Sequence, residues 1–299
     1  MTHVITLVAS EGNPDISKSH IKEMEKIIGF YNFKWEGKPE WLAKGRAVDL
    51  GLAARPQSAL MSHLREFCAD DKIDVFASPV ENRQKKLLVA DMDSTIIEEE
   101  TLDELAAYAG LKEEIVAITT EAMEGRLDFA EALHKRVGLL KDLEAEKLQE
   151  TLDKMVLSPG AETLVTTMNK EGAICVLVSG GFTFFTGAIA ERVGFQHHHG
   201  NKLEIKDKKL TGMVQEPILD KHSKVDFLKQ YTQDLGLGEN DSIAIGDGAN
   251  DIPMLKNAGL GVGYHPKPAV ADAVQNVIIH GDLTAALYVQ GYSKKDIIT

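Results

Sequence analysis

Apolar and polar positions follow two different rhythms along the 299 residues of the chain. In the first 80 residues short amphipathic segments alternate. Val4–Ala9 is rich in β-formers, and Ser17–Ile28 puts Ile21, Met24, Ile27 and Ile28 on one helical face. Phe30–Trp35 and Ala47–Leu52 predict strands, Gln57–Phe67 a helix and Ile73–Ala77 a last strand. The order βαββαβ predicts a ferredoxin-like α+β unit over residues 1–80. Ser78–Lys86, with Pro79 and a dense set of charged and amide side chains, predicts a linker, its boundary drawn at 81–86.

From residue 87 to 299 the apolar runs are continuous: Leu87–Ala90, Ile174–Val178, Ile243–Ile245, Gly259–Val262 and Val277–Ile279. Runs without alternation, each followed by a helical stretch, fit strands buried on both faces of a parallel sheet. The segment 98–154 interrupts this rhythm. It is charged, poor in Pro and strand signals, and punctuated by Gly110, Gly125 and Gly138, so it predicts several short helices inserted as a cap. Leu203–Ile205 and Leu210–Val214 flank Asp207-Lys208-Lys209 and predict a hairpin. The expected fold is α/β: a Rossmann-like parallel sheet core with an inserted helical cap, behind an N-terminal ferredoxin-like unit.

Charge sharpens the division. Residues 1–86 carry 13 Lys/Arg and 12 Asp/Glu, whereas residues 87–299 carry 20 and 34, so the net charge of −13 belongs to the second part. An acidic surface repels phosphate backbones, which argues against nucleic acid and anionic membranes as partners. No apolar run approaches the roughly 18–20 residues of a membrane span. The start MTHVITLVAS lacks the basic-then-apolar pattern of a secretory signal, and two cysteines, Cys68 and Cys175, make no disulfide framework. The expected location is therefore the cytoplasm.

Three polar clusters follow three of the buried runs: Asp91-Met92-Asp93-Ser94-Thr95, Ser179-Gly180-Gly181, and Gly246-Asp247-Gly248-Ala249-Asn250-Asp251. Open α/β sheets bind ligands at the carboxyl ends of their strands, so all three converge on one crevice. Asp91, Asp93, Asp247 and Asp251 together would repel one another unless a hard cation with oxygen ligands, such as Mg²⁺, lies among them. Ser179, the amides of Gly180 and Gly181, and Lys224 are candidate binders of phosphoryl oxygens. Carboxylates, a cation and phosphate binders imply phosphoryl transfer, with a carboxylate able to act as nucleophile.

Asp91-Met92-Asp93-Ser94-Thr95 resembles the first motif of the haloacid dehalogenase superfamily, and Ser179, Lys224 and Gly246–Asp251 resemble its other three, in order. The segments DSTIIEEETLDELA, EAMEGRLDFAEALHKRVGLL, VSGGF, KLTG and GDGANDIPML are similar to those of its phosphoserine phosphatase family. Residues 1–86 lie outside this catalytic likeness and resemble the ACT-like domain that some bacterial members carry. The resemblance implies that Asp91 is the nucleophile and that Asp93 protonates the leaving oxygen, then activates water. It implies Mg²⁺ held by Asp91, the Asp93 main-chain carbonyl and Asp247, with Asp251 supporting the metal or Lys224 from behind. Ser179, Gly180 and Lys224 would grip the phosphoryl group, with Asn250 lining the site. Glu100 would meet the substrate ammonium and Arg136 its carboxylate, while Met123 and Phe129 close over it. The implied activity is hydrolysis of O-phospho-L-serine to L-serine and phosphate, the last step of serine synthesis.

Blander readings compete at several positions. Gly180-Gly181 taken alone is a turn, Arg136 a surface ion-pair residue, and Met123 and Phe129 helix-core residues. His197-His198-His199 predicts a surface loop rather than a metal site, because consecutive residues point apart. Two other functions also compete. One is a phosphotransferase passing the group to another alcohol such as homoserine; the other is an amino-acid-sensing regulatory protein, against which the intact set of acids argues. The oligomeric state stays open, a homodimer included.

Overall fold

The computed structural model describes residues 1–123 and 127–298, with the side chains of residues 120, 122 and 123 left aside. The first 79 residues form β1 (His3–Ala9), α1 (Lys18–Phe30), β2 (Trp35–Ala43), β3 (Ala47–Leu52), α2 (Ser58–Cys68) and β4 (Ile73–Pro79). The sheet order is β2-β3-β1-β4 and every pairing is antiparallel, the topology of a ferredoxin-like unit. Ser17 caps α1 by accepting from the His20 amide. Ile5, Leu7, Val48, Leu50 and Val75 meet α1 and α2 on one face of the sheet.

The expected strand at Phe30–Trp35 is displaced. Helix α1 continues to Phe30, Asn32 turns the chain with φ +59°, and β2 begins only at Trp35. Its sequence contains Gly37-Lys38-Pro39, and its register slips between Glu36 and Glu40. Proline is tolerated there because β2 is an edge strand whose N–H groups need no partner on the outer side.

The second sheet comprises β5 (Leu87–Ala90), β6 (Ile174–Phe182), β7 (His197–Lys206), β8 (Lys209–Gln215), β9 (Ser242–Gly246), β10 (Leu260–Tyr264) and β11 (Asn276–Ile278). Its order is β11-β10-β9-β5-β6-β7-β8, parallel throughout except for the β7–β8 hairpin. β5 lies near the middle, paired to β6 and β9, and its residues alternate between two apolar cores: Leu88 and Ala90 on one side, Leu87 and Val89 on the other. That double burial explains the continuous apolar runs. His197–His199 is no loop: it pairs with Val176–Val178 as the start of β7. Alternation sends His198 to the Thr186 hydroxyl and His199 to Tyr231, on opposite faces.

Between β5 and the helix that leads into β6 lie α3 (Thr101–Ala109), α4 (Lys112–Met123), α5 (Phe129–Leu139) and α6 (Glu146–Leu152). They form the cap. Gly110 ends α3 in the left-handed conformation, φ +70°. Gly138 breaks nothing: it lies within α5, where an added Cβ would meet open space, and it is Gly212 on β8 whose missing side chain allows the close approach, since a Cβ there would sit 3.3 Å from the Gly138 carbonyl oxygen. Gly125 lies outside the described residues. The two strands of chain entering and leaving the cap pair at Ile97 and Leu157, with Glu98 N–H donating to the Val156 carbonyl and Ser158 N–H to that of Ile96.

Beyond the cap follow α7 (Ala161–Lys170), α8 (Thr183–Val193), α9 (Lys221–Asp234), α10 (Ile252–Asn257), α11 (Pro268–Ala273) and α12 (Ala285–Val289). Helix α12 covers the open face of the N-terminal sheet, so Val8, Ala47 and Phe76 share one apolar cluster with Leu287 and Tyr288. Polar groups cross the same boundary. Arg83, in the expected linker, pairs with Asp49 and donates to the Val289 carbonyl. Asn276 exchanges two hydrogen bonds with the Ala77 backbone. Asp74 accepts from the amides of Ile279, His280 and Gly281. The segment 81–86 is accordingly held down, with Lys85 fully buried. No helix among the described residues is long and apolar enough to cross a membrane.

Candidate active site

The carboxyl ends of β5, β6 and β9 meet at one place, as parallel neighbours must. After β5 the chain turns tightly: Asp91 N–H donates to the Ile245 carbonyl, while the amides of Ile96 and Ile97 both donate to the Met92 carbonyl. Ser94 takes φ +52° within this loop, and Met92 points into the core with no exposure. Asp91 is thereby held at the strand tip with its Oδ1 accepting from the Met92 amide at 2.8 Å.

Asp91, Asp247 and Asp251 are buried, and one carboxylate oxygen of each lies within 4.8 Å of the others. Asp251 can come so close because Gly246 has no side chain; a Cβ there would overlap its carboxyl group. Asp251 Oδ2 accepts from the Gly248 amide at 3.0 Å. Its Oδ1 receives the ammonium of Lys224 at 2.6 Å, and Lys224 reaches Asp91 Oδ1 at 2.7 Å. Lys224 stands in the first turn of α9, which Asp220 caps by accepting from the amides of His222 and Ser223.

The Asp93 carboxylate points elsewhere. Its Oδ1 accepts from the Thr101 amide at 2.8 Å and its Oδ2 from the Ser179 hydroxyl at 2.9 Å. The Gly181 amide donates to Ser179 Oγ at 2.8 Å, so the turn after β6 orients that hydroxyl. Asn250 is half-buried beside Gly248. Phe129, the first residue of α5, lies over Gly180, where a Cβ would be 3.1 Å from the ring. Glu100 is exposed and accepts from the Ser94 hydroxyl at 2.9 Å. Arg136 donates within the cap, to the Ala132 carbonyl and the Thr119 hydroxyl. The Met123 side chain lies outside the described residues.

Lys267 was not anticipated. Its ammonium lies 3.0 Å from Asp247 Oδ2 and 3.6 Å from Glu100 Oε1. The signal was available: Lys267 follows the apolar run of β10, a fourth strand ending at the same sheet edge, but His265-Pro266-Lys267-Pro268 reads as a turn.

Electrostatics follow from crowding. Burial, with repulsion from Asp251, holds the Asp91 carboxyl well above the usual carboxylate range against the pull of Lys224. Burial pushes Asp247 up to about 6, with Lys267 pulling the other way. Asp93 is raised by burial and by Glu100, while the bonds from Thr101 and Ser179 oppose this. Burial disfavours the charge on Lys224, yet Asp251 and Asp91 outweigh it and hold the amine above its ordinary value. A buried set of oxygen donors that repel one another fits a hard divalent cation, which would add to the countercharge of Lys224 and Lys267. Acid groups with raised affinity for protons are also suited to donate one.

An aspartate at a strand tip, a buried lysine, a hydroxyl and an acidic cluster thus lie together beneath the cap, and the family model of the haloacid dehalogenase-like hydrolases matches residues 88–256. The chain belongs to that family. It is 40% identical over 205 residues to the phosphoserine phosphatase of Methanocaldococcus jannaschii, covering 69% of this chain and 97% of the relative. The phosphoserine phosphatase of Streptomyces coelicolor is 39% identical over 225 residues, 75% of this chain, which spans 55% of that relative's length. Among solved structures, a haloacid dehalogenase family hydrolase from Salmonella enterica subsp. enterica serovar Typhi superposes with a TM-score of 0.84 at 29% identity. That match covers 96% of this chain and 98% of the other, so the likeness includes the N-terminal sheet.

Proposed function

We propose that the chain is a Mg²⁺-dependent phosphatase that hydrolyses O-phospho-L-serine through an aspartyl-phosphate on Asp91. The observation that carries this reading is Lys224 bridging Asp91 and Asp251 beside an independently positioned Asp93, beneath a cap that presents Glu100 and Arg136. The similarity to phosphoserine phosphatases supports the substrate.

Asp91 attacks phosphorus with a carboxylate oxygen, forming an O–P bond as the bond to the seryl oxygen breaks. Asp93 gives its proton to that leaving oxygen. It then takes a proton from the water that attacks the phosphoenzyme, releasing phosphate and restoring Asp91. Lys224, the Ser179 hydroxyl and the Gly180 amide hold the phosphoryl oxygens, and Asn250 lines the same crevice. Asp91, Asp247 and the Asp93 main-chain carbonyl would hold Mg²⁺, with Asp251 behind, and the bound cation would supply positive charge beside the transferring group. In the cap, Glu100 pairs with the substrate ammonium and Arg136 with its carboxylate, and Phe129 closes over the stem.

We place this activity at the last step of serine synthesis, in a reducing cytoplasm. Burial pushes the thiols of Cys68 and Cys175 up to about 12, which suits unpaired cysteines. The test is phosphate release from O-phospho-L-serine before and after chelation, with homoserine as a competing acceptor. Metal-dependent release without phosphohomoserine is expected. Full turnover after exhaustive chelation overturns the metal assignment, and phosphohomoserine as the main product makes the chain a transferase.

A further inference from the structure

The site holds two lysines, and their surroundings differ. Lys224 is enclosed: its side chain is 3% exposed, and both of its carboxylate partners are buried with it. Lys267 is 44% exposed, yet its ammonium rests on Asp247 Oδ2, an oxygen of the buried acidic cluster. Its backbone cannot wander. The Lys267 amide donates to the Asp247 carbonyl at 3.0 Å, and His265, two residues earlier, holds a left-handed φ of +38°. Pro268 follows as the first residue of α11. The main chain thus anchors the residue beside Asp247 and leaves a four-carbon arm free at its tip. That arm borders a cleft of about 670 Å³, which Ser94, Glu98, Asp247 and Asp282 also line. The cleft gives the ammonium both room and acidic partners once it leaves Asp247.

We propose that Lys267 is the cluster's resident countercharge, neutralising Asp247 when no metal is bound and yielding that oxygen to an incoming divalent cation. The inference rests on the metal-dependent reading above. A divalent cation that takes Asp247 Oδ2 competes with the ammonium for the same lone pairs and repels it, so binding the one weakens the hold of the other. Glu100, 3.6 Å from Lys267 Nζ, is a partner already within reach of the displaced group. The lysine therefore lowers the affinity for metal and keeps Asp247 paired in its absence. It is a positioning residue, without contact to the reacting atoms.

Calorimetric titration of the substrate-free protein with MgCl₂ tests this, using the native chain, Lys267→Gln and Lys267→Arg. Lys267→Gln should bind Mg²⁺ about 2- to 5-fold more tightly, the range an ion pair of this exposure allows, and Lys267→Arg should bind like the native chain. Thermal unfolding supplies a second readout. In chelator, Lys267→Gln should melt below the native chain, and added Mg²⁺ should raise its melting temperature by more than it raises the native one. A purely structural lysine would lower both melting temperatures alike and leave the affinity unchanged or weaker, which overturns the proposal. Absence of Mg²⁺ binding by the native chain overturns the metal reading itself, and this inference with it.

Discussion

The groups at the strand ends and those in the cap are held in opposite ways. At the strand ends Asp91, Asp93, Asp251 and Lys224 already have partners within 3.0 Å, all from around the sheet edge but for the Thr101 amide at the start of α3. In the cap, Arg136 bonds, among the described residues, to Ala132 and Thr119 of its own neighbourhood, and exposed Glu100 leans on Ser94 and Lys267. Burial lowers Arg136's hold on its proton, while Asp103 and Glu100 sustain it. Preorganised dipoles and charges accelerate chemistry because nothing need reorganise during reaction. Groups that read a substrate gain from being free until it arrives. The paired chain at Ile97 and Leu157 is where one part is joined to the other.

Asp91→Asn strikes the preorganised part and carries the largest expected effect. The amide keeps the shape but is a very poor nucleophile, so turnover should fall by about 10⁴-fold or more while circular dichroism stays unchanged. Labelled phosphate trapped on this variant would move the nucleophile elsewhere. Arg136→Ala strikes the cap. It should cost on the order of 2–5 kcal/mol in kcat/KM for phosphoserine, whose carboxylate would be left unpaired. Lysine should rescue only partly, for it lacks the planar fork. Phosphoethanolamine, without a carboxylate, should be a poor substrate and nearly insensitive to the change. Equal losses for both substrates would erase the contrast between reading and reacting groups, making Arg136 a support of the cap.

The same contrast governs what could be seen before the structure. The polar clusters at β5, β6 and β9 stand out because each directly follows a run that double-sided burial makes continuously apolar. Glu100 and Arg136 carry no such marker; acids and arginines on short helices look like solvated faces, and only resemblance singled them out. Lys267 was hidden by two prolines. β2 was misplaced because an edge strand can carry Lys38-Pro39-Glu40, which breaks alternation. The histidine run reads as a loop because three polar residues in a row do not announce a strand. The boundary at 81–86 reads as solvated from its charge, yet Arg83 pairs with buried Asp49, and Lys85, itself buried, donates to the Asn82 and Asn240 carbonyls.

That boundary sets the next smaller effect. Asp74 on β4 receives three amides from residues 279–281, and His280 and Gly281 line the cleft beside Asp247. Asp74→Ala leaves those donors unpaired, at a cost of about 1–3 kcal/mol in unfolding free energy. Urea denaturation should show that loss with kcat unchanged, because every strand-end partner of Asp91 and Lys224 remains. A parallel fall in kcat would enlarge the preorganised part to include the N-terminal sheet. A chain shortened to start near Glu81 would go further and uncover α12, whose apolar cover includes Val8 and Phe76.

The smallest effect concerns β7, which backs the strand carrying Ser179. His199 stacks on Phe227 with centroids 3.7 Å apart, and its Nε2 meets the Tyr231 hydroxyl at 2.9 Å. Burial, followed by the charges of His198 and His197, lowers its pKa from 6.5 to about 4. In the folded chain the ring is therefore neutral near pH 5, where the unfolded chain would protonate it. The unfolded state then binds more protons, so stability from this group is complete above about pH 6.5 and is lost as pH falls toward 4. Partial exposure keeps the effect modest. His199→Phe retains the stack and removes the titration, so the stability difference between native chain and variant should shift against the native chain as pH falls from 7 to 4.5. Urea midpoints across that range measure it. A difference independent of pH would mean that the ring protonates within its stack, and that this flank of the sheet yields as readily as the cap.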